Sequence, residues 1–292
     1  PPRSTLFPYT TLFRSLTAFR VFRAQGLQRP LLWAVLLMTI SETFLFRASL
    51  CRGHLLSIAF ALLGWHLIAS RARWALALLG VIYALAYTAP HVLILLALVW
   101  AVVEYNASGP LFSRPDEPST GAASSVGPSR VRRLSAALKP AMWATLGILV
   151  GVIVHPLGFN MAKLWIVQNG VVLMHSYGMS EFAATVAGWV GMPAPDSANI
   201  TVTDLGGELN ATGGRELVFS HFIGLVLLIG PWVASAFWRV RLNRVDAFAW
   251  LTAALFFIGL LVSERFAEYF FPFVVLAGGR LLAALWQSDD FK

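Results

Sequence analysis

Long apolar segments, separated by short stretches rich in arginine, dominate this sequence. Runs such as LLWAVLLM and LILLALVWAVV are continuous and lack the alternation of apolar and polar residues that a membrane β-strand shows. Only helices satisfy the backbone hydrogen bonds of such runs in lipid, so the pattern predicts an all-α polytopic membrane protein of about eight transmembrane helices in two blocks. The apolar segments lie at about 31–46, 54–69, 74–88, 91–104, 140–157, 217–237, 247–263 and 269–286.

Charged residues are scarce and mostly basic. They make up 12% of the chain, whereas about a quarter is usual in soluble proteins. The formal net charge is +8, but the arginines stand in short clusters between apolar segments, which indicates topology-setting loops and not a nucleic-acid-binding surface. The expected partner is therefore the lipid bilayer, and no nucleic acid. The single cysteine, Cys51, excludes an internal disulfide and a cysteine-built metal site. No metal or cofactor site is predicted, and any cofactor is unknown.

The arginine clusters indicate which side of the membrane each connection occupies. If successive segments cross in opposite directions, one side receives Arg20, Arg23, Arg29, Arg71, Arg73, Arg130, Arg132, Arg133, Lys139, Arg239, Arg241 and Arg244. The positive-inside rule makes that side cytoplasmic. The opposite side, which we expect to be exoplasmic, receives Arg47, Arg52, Lys163, Arg215 and Arg265. The predicted location is the cell membrane, with a multi-pass topology.

Four parts are expected along the chain. Residues 5–15, TLFPYTTLFRS, match one translated frame of a common short-read sequencing adapter, so residues 1–15 are expected to be a scar outside the fold. Residues 16–104 are predicted to form an N-terminal helical membrane block. Residues 105–139 are predicted to be a cytoplasmic linker rich in proline, glycine and serine. Residues 140–292 are predicted to form a C-terminal block with an exoplasmic segment at 158–215.

Three polar stretches meet the membrane on the expected exoplasmic side. They are FRASLCRGH at 46–54, HPLGFNMAKLWIVQNG at 155–170 and SERFAEYFFP at 263–272. Helix ends that hold arginine, carboxylate, histidine and lysine side chains suit an anionic or polyhydroxyl ligand, because an arginine fork binds phosphate and carboxylates accept sugar hydroxyls. The candidate substrate-binding residues are Arg52, His155, Lys163, Arg265 and Glu268.

Each of these candidates also has a purely structural interpretation. Arg52 would anchor a helix end at the lipid headgroups, and His155 would mark the end of a helix before a proline. Glu264 and Glu268 lie four residues apart, which places them on one helical face beside Arg265 and predicts an ionic network. Whether that network binds a substrate or locks two helices together is open from the sequence.

Two further features concern the interior and the surface of the bundle. Glu42 and His66 fall within predicted spans, where polar side chains are costly in lipid, so both should face the interior. His66 is interpreted as a packing histidine. The stretch MAKLWIVQNGVVLMHSYG at 161–178 predicts an amphipathic helix in the membrane interface, where it would fence a lipid-linked substrate.

Between Arg20 and Trp286 the sequence resembles the large bacterial multi-pass glycosyltransferases of the GT-C type, through HPLGFN with WIVQN and through SERFAEYFFPF. The resemblance implies transfer of a sugar from a polyprenyl-phosphate donor to an acceptor outside the cytoplasmic membrane. In that family the catalytic carboxylate usually lies in the first exoplasmic loop after the first span. No such loop is visible, and it would precede Leu16. The chain is therefore expected to be a fragment, and no catalytic residue is assigned.

The alternative is a transporter or a non-enzymatic membrane scaffold of unknown substrate. In that interpretation Arg265 and its neighbours lock helices together, while Glu42 and His66 line a pathway through the bundle. An internal inverted repeat, which is common in transporters, is not detected in the sequence.

Overall fold

The computed structural model describes residues 7–42, 44–45, 54–87, 89–106, 130–167, 171, 174, 179–191, 220–237 and 242–287. Within these residues the chain is helical and contains no strand, which confirms the all-α prediction. The helices are α1 Phe7–Ala24, α2 Pro30–Thr39, α3 His54–Ala69, α4 Arg73–Ala86, α5 His91–Asn106, α6 Arg130–Val154, α7 Phe159–Ile166, α8 Ser180–Trp189, α9 Phe222–Phe237, α10 Arg244–Val262 and α11 Ala267–Gln287. A 3₁₀ turn, Glu264–Phe266, joins α10 to α11.

Each of the eight predicted apolar segments corresponds to a helix, namely α2 to α6 and α9 to α11. Three helical stretches are long and apolar enough to cross a membrane: Val131–Val154, Arg244–Val262 and Glu264–Gln287. The other five apolar helices of the described part are between 10 and 17 residues long. The described part of the protein is thus all-helical with three candidate membrane spans, and its apolar helices are compatible with contact to a bilayer.

Helix α11 occupies the centre of the bundle. In the most apolar 18 residues of this span, 72% of the stretch is buried inside the protein, whereas the corresponding share is 39% in α6 and in α10. It contacts α2, α3, α9 and α10. A run from Ala267 to Gly279 is buried without interruption, and Leu281 and Leu285 continue the buried face. Helix α11 is therefore the core helix for the four helices that contact it.

The two predicted blocks are consecutive in the chain but intermixed in space. Helix α6 packs closely against α4 and α5, and α11 packs against α2 and α3. One cluster of buried side chains extends from Ala18 to Ala277 and includes residues of both blocks. The division of the chain therefore does not divide the core.

The boundaries of the expected parts differ from those of the helices. Helix α6 begins at Arg130, so residues 130–139 of the expected linker are helical. Their exposed arginines lower the hydropathy but favour a helix, and Pro140 lies inside α6. Residues 107–129, which carry the proline, glycine and serine composition, lie outside the described part. The expected exoplasmic segment contains α7 and α8, while residues 192–219 are not described.

Helix α1 continues through the expected boundary between residues 15 and 16. It begins at Phe7, and its first buried side chain among those described is Ala18. Val21 and Phe22 are also buried, and α1 packs against α2 and α3. Residues 1–6 lie outside the described part. The assignment of residues 1–15 to a scar stays a prediction.

Helices α4 and α6 approach each other through small residues. Gly147 and Gly151 lie four residues apart on α6, the spacing that lets membrane helices pack backbone to backbone. A Cβ at Gly147 would meet the backbone of Ala77, and one at Gly151 would lie 2.8 Å from the carbonyl oxygen of Val81. On α4, a Cβ at Gly80 would lie 3.0 Å from the carbonyl oxygen of Ala144. This contact admits no added side-chain atom without backbone movement.

We expect Gly147→Ala to lower the free energy of unfolding by about 1–3 kcal/mol, because the added methyl group would overlap backbone atoms that cannot rotate away. Gly230→Ala in α9 is the matched control, since the nearest atom to its added Cβ is Val226 Cγ1 at 3.9 Å. That change should be neutral or stabilise by about 0.5–1 kcal/mol. Thermal unfolding in one detergent, followed by circular dichroism, measures both. Equal effects of the two substitutions would contradict the close α4–α6 contact.

Candidate functional site

The described helices place polar side chains at two opposite ends of the bundle. One end, which we call the arginine-rich end, contains Arg71, Arg244 and Arg280, close to the ends of α3 and α5 and to the start of α10. The other end, which we call the Tyr87 end, contains Tyr87 after α4 and Arg265 between α10 and α11. Arg71 and Arg244, which are predicted to share a side of the membrane, thus lie at the same end of the bundle, where both pair with Glu104, and which end is cytoplasmic stays a prediction.

Arg265 is the central cation of the Tyr87 end. It lies in the 3₁₀ turn, where Ser263 Oγ accepts a hydrogen bond from the Arg265 backbone N–H at 3.4 Å. Its Nη2 donates to the hydroxyl oxygen of Tyr87 at 3.3 Å, and its side chain is exposed. Glu268 is only 2% exposed and is close enough to interact electrostatically with Arg265 and Tyr269. The exposed, positively charged side chain of Arg265 therefore lies close to the buried carboxylate of Glu268.

A cluster of buried hydroxyl groups lies next to Arg265. Ser57 of α3 hydrogen-bonds through its Oγ to the hydroxyls of both Tyr83 and Tyr269. The Tyr83 hydroxyl also lies 3.3 Å from the carbonyl oxygen of Ser57. The rings of Tyr83 and Tyr87 stack with centroids 6.5 Å apart. This cluster joins α3, α4 and α11 and holds the tyrosine side chains in place, because buried hydroxyls without partners would be costly in an apolar bundle.

A cavity of about 170 Å³ opens beside Tyr87, between α4, α5, α6 and α7. Its lining is almost entirely apolar. The polar groups in its wall include the Tyr87 side chain and the ring of His91, whose Nδ1 accepts a hydrogen bond from Trp165 Nε1 at 2.6 Å. The lining residues are Ala84, Tyr87, Pro90, His91, Ile94, Ile148, Val152, Met161, Ala162 and Trp165. The cavity is therefore an almost entirely apolar space whose wall also includes the side chains of Tyr87 and His91.

The helix expected at 161–178 corresponds to α7, which begins at Phe159 and ends at Ile166, and the described residues Val171 and Met174 are also helical. Met161, Ala162 and Trp165 line the cavity, whereas Lys163 and Leu164 are exposed. Gly158, with φ of 48°, precedes the helix and allows the sharp turn from α6. Helix α7 thus forms one wall of the cavity.

The structure brings some of the predicted site residues together and separates others. Arg265 and Glu268 are neighbours at the Tyr87 end. His155 lies in the turn after α6, where its Nδ1 accepts a hydrogen bond from the backbone N–H of Leu157 at 3.0 Å, as expected for a helix stop. Neither His155 nor Lys163 contacts Arg265 in the part of the chain that the structure describes. Arg52 lies outside the described residues.

Two polar stretches differ in detail from the expected helices. Glu264 lies in the 3₁₀ turn and Glu268 in the first turn of α11, which begins at Ala267, and the ionic network of these residues with Arg265 stays a prediction. Glu42 is exposed and does not face the interior as predicted; it is helical, but it lies after the break that follows Thr39, the last residue of α2. His66, which was expected to be a packing histidine, is half-buried near the end of α3, and its Nδ1 lies 2.6 Å from Gln25 Nε2.

Sequence reasoning missed the aromatic half of the Tyr87 end. Tyr87 and His91 flank the connection TAP between α4 and α5, and both were counted only as borders of apolar segments. The available signal was a tyrosine and a histidine four residues apart beside a proline, at the side where Arg265 was expected. Tyr269 was hidden in the same way among the apolar residues of FAEYFFPF.

The arginine-rich end contains a buried ion pair that was also missed. Arg280 Nη2 lies 2.7 Å from Asp246 Oδ1, and their side chains are 13% and 3% exposed. Arg280 Nη1 donates to the carbonyl oxygen of Gln25 at 2.7 Å. Asp246 also completes a capping box with Asn243 at the start of α10. The pair therefore connects α1, α10 and α11.

In comparisons with family models, with curated proteins and with solved structures, nothing matches the chain. The geometry of the two ends is therefore the basis on which a function is proposed.

We expect Arg280→Met to destabilise the protein by about 3–5 kcal/mol, because it leaves the buried carboxylate of Asp246 without a cation. Adding Asp246→Asn in the same chain should recover part of that loss, since it removes the uncompensated charge. Arg71→Met is the control, because Arg71 pairs with Glu104 at 2.9 Å but is 60% exposed and should contribute at most about 1 kcal/mol. Unfolding temperatures in detergent compare the three variants. A loss in Arg280→Met no larger than in Arg71→Met would show that the pair is not a structural lock.

Proposed function

We propose that the chain is part of a multi-pass protein of the cell membrane whose Tyr87 end binds a polyprenyl-phosphate-linked sugar, as in a GT-C type glycosyltransferase. The observation that carries the proposal is the position of Arg265. Its guanidinium lies against the Tyr87 hydroxyl, and Tyr87 is one of the residues that line an almost entirely apolar cavity. A lipid phosphate requires a cation next to an apolar space, and this pair of features supplies both.

The polar part of such a ligand would bind at Arg265. A guanidinium has five N–H donors in a planar fork, and Tyr87 uses one of them in the hydrogen bond described. The exposed side chain leaves donors for a phosphate. The buried carboxylate of Glu268 stabilises the positive charge of the Arg265 guanidinium. His91 is also close enough to interact electrostatically with Arg265. We assign these groups to binding and positioning, and no catalytic base is assigned.

The prenyl part would enter the cavity between α4, α5, α6 and α7. Ile94, Ile148, Val152 and Met161 give its wall the apolar character that an isoprenoid chain requires. A volume of about 170 Å³ holds only the units next to the phosphate, so the rest of the chain would lie in the bilayer. Helix α7 then separates the bound head from the surrounding lipid, which is the role expected for an interfacial amphipathic helix.

The proposed topology has about eight transmembrane helices. Two contacts support it: the residue Arg71 after α3 pairs with Glu104 at the end of α5 at one end of the bundle, and Tyr87 after α4 accepts a hydrogen bond from Arg265 at the other. Flanking residues and local thinning of the bilayer would compensate for their length. In this topology the arginine-rich end is cytoplasmic and the Tyr87 end is exoplasmic.

The competing function is a helix lock in a transporter or scaffold. The Arg265–Tyr87 hydrogen bond joins the α10–α11 turn to α4 and would stabilise the bundle whether or not a ligand binds. The two functions differ in their response to a lipid phosphate, and this difference gives the test.

We expect the purified chain in detergent to bind geranylgeranyl phosphate more tightly than geranylgeraniol, because only the former offers an anion to Arg265. Arg265→Ala should abolish this preference, Arg265→Lys should reduce it, and Tyr87→Phe should have an intermediate effect. Arg73→Ala, an exposed arginine at the opposite end, should leave it unchanged. Ligand-induced shifts of the unfolding temperature measure the binding. If Arg265→Ala and Arg265→Lys lower stability alike and neither alters the preference, Arg265 is a lock.

The cavity is tested separately in the same titrations. Ala162→Phe should weaken binding of the phosphate and of the alcohol equally, because it fills the space proposed for the prenyl chain. Leu164→Phe, on the exposed face of α7, is the matched control and should weaken neither. Unchanged binding in Ala162→Phe would place the prenyl chain elsewhere.

The topology predicts which end is accessible from outside the cell. In a Cys51→Ser background, Lys163→Cys should react with a membrane-impermeant maleimide in intact cells, because Lys163 is exposed on α7 at the Tyr87 end. Arg73→Cys, exposed at the arginine-rich end, should react only after the membrane is permeabilised. The reverse pattern would invert the orientation and contradict an exoplasmic binding site.

A further inference from the structure

A second and larger cavity lies at the arginine-rich end, between α2 and α11. Its volume is about 520 Å³, and it is lined mainly by Leu32, Leu36, Leu282, Ala283 and two tryptophans, with Gln28 and Arg29 as its polar residues. We propose that this cavity, which we call the Arg29 groove, binds one anionic phospholipid of the adjacent leaflet. The headgroup phosphate would contact Arg29, and one acyl chain would lie along the leucines.

The charge of Arg29 is available for a ligand. Its side chain is exposed and makes no hydrogen bond or ion pair with any residue that the structure describes. The neighbouring cations Arg71, Arg244 and Arg280 are all paired with carboxylates. Arg29 therefore offers its full donor fork beside an apolar surface, which is the arrangement by which basic pockets between membrane helices recognise anionic headgroups.

The walls of the Arg29 groove are fixed by specific contacts. Trp33 Nε1 donates to the backbone carbonyl oxygen of Gln28 at 3.0 Å, which orients the indole ring. A Cβ at Gly279 would lie 3.2 Å from Trp33 Cε2, so the absence of a side chain at this position lets Trp33 approach α11. Trp286 is 63% exposed at the rim. Tryptophans in this position are typical of the level at which lipid headgroups meet the hydrocarbon region.

A phospholipid fits this groove better than the other occupants. A free anion would leave the apolar lining exposed. A second copy of the chain, inserted in the same orientation, would bring its own basic end to the same level and place like charges together. Leu31 and Val35 on α2, which are 64% and 52% exposed, extend the apolar surface outside the groove. An acyl chain would cover both, whereas the phosphate would neutralise Arg29.

The backbone of Arg29 supplies a substitution that removes the charge without harming the fold. Arg29 has φ of 53° and ψ of 55°, in the left-handed region that a residue with a side chain rarely adopts. Glycine adopts this conformation readily. Arg29→Gly should therefore keep or raise the unfolding temperature, so a loss of lipid binding in this variant cannot be explained by unfolding.

The test is native mass spectrometry of the full chain, released from detergent that contains either dioleoyl phosphatidylglycerol or dioleoyl phosphatidylcholine. We expect one phosphatidylglycerol to remain bound more tightly than phosphatidylcholine, and we expect Arg29→Gly to reduce that preference by about fivefold, the effect of one basic residue. Arg29→Lys should keep most of the preference. Arg73→Ala is the control, because Arg73 is another exposed arginine at the same end, and this variant should keep the full preference for phosphatidylglycerol. Ala283→Phe should weaken both lipids by filling the groove.

Several outcomes would overturn the proposal. An undiminished preference in Arg29→Gly would show that Arg29 is not the headgroup contact. Competition by inorganic phosphate as effective as by phosphatidylglycerol would indicate an anion site without a lipid. A dimer whose amount changes with Ala283→Phe would indicate a second copy in the groove. Arg29 and Arg265 lie at opposite ends of the bundle, so failure here leaves the test of the Tyr87 end unaffected.

Discussion

The burial of α11 is the constraint on which the rest of the structure depends. A helix surrounded by other helices must be apolar along its middle and must satisfy its polar side chains near its ends. Helix α11 does this with Glu268 near its start, beside Arg265, and Arg280 in its second half, paired with Asp246. Because Asp246 of the neighbouring helix α10 holds Arg280, this pair fixes the depth of α11 in the bundle. The helices that contact α11 are positioned by it, and the Arg29 groove lies between α11 and one of them, α2.

The cavity at the Tyr87 end is a consequence of how closely α4 and α6 pack. Gly147 and Gly151 bring the backbones of α4 and α6 together. Ile148 and Val152, each the next residue along α6, are larger and line the cavity together with Ala84. The size of the side chains on α6 thus explains both features: the glycines allow the close contact with α4, and the larger residues beside them form the wall of the cavity. Loss of the glycine contact should therefore change the cavity as well as the stability.

The sequence predicted the helices well because each is a long apolar run whose hydropathy is independent of tertiary structure. It predicted the ends less well, since these depend on contacts between distant segments. Arg280 appeared as an isolated cation in the last apolar run, and its partner Asp246 lies 34 residues away on α10. Arg265 was found because it stood in a visibly polar stretch, but its partner Tyr87 lies 178 residues away and carries no charge. Amphipathic and hydroxyl-bearing side chains contribute little to hydropathy, so the tyrosines of the site gave no signal.

The two arginines at the ends of α11 give an internal comparison that bears on function. Arg280 has the features of a lock: it is 13% exposed, contacts a buried carboxylate at 2.7 Å and donates to a backbone carbonyl as well. Arg265 is exposed, and its described side-chain hydrogen bond is a longer one, 3.3 Å, to a neutral hydroxyl. A guanidinium that served only to join two helices would gain more from a direct carboxylate partner, as Arg280 does. The hydrogen bond from Arg265 to the neutral hydroxyl of Tyr87, at 3.3 Å, is one that a phosphate ligand can replace at small cost.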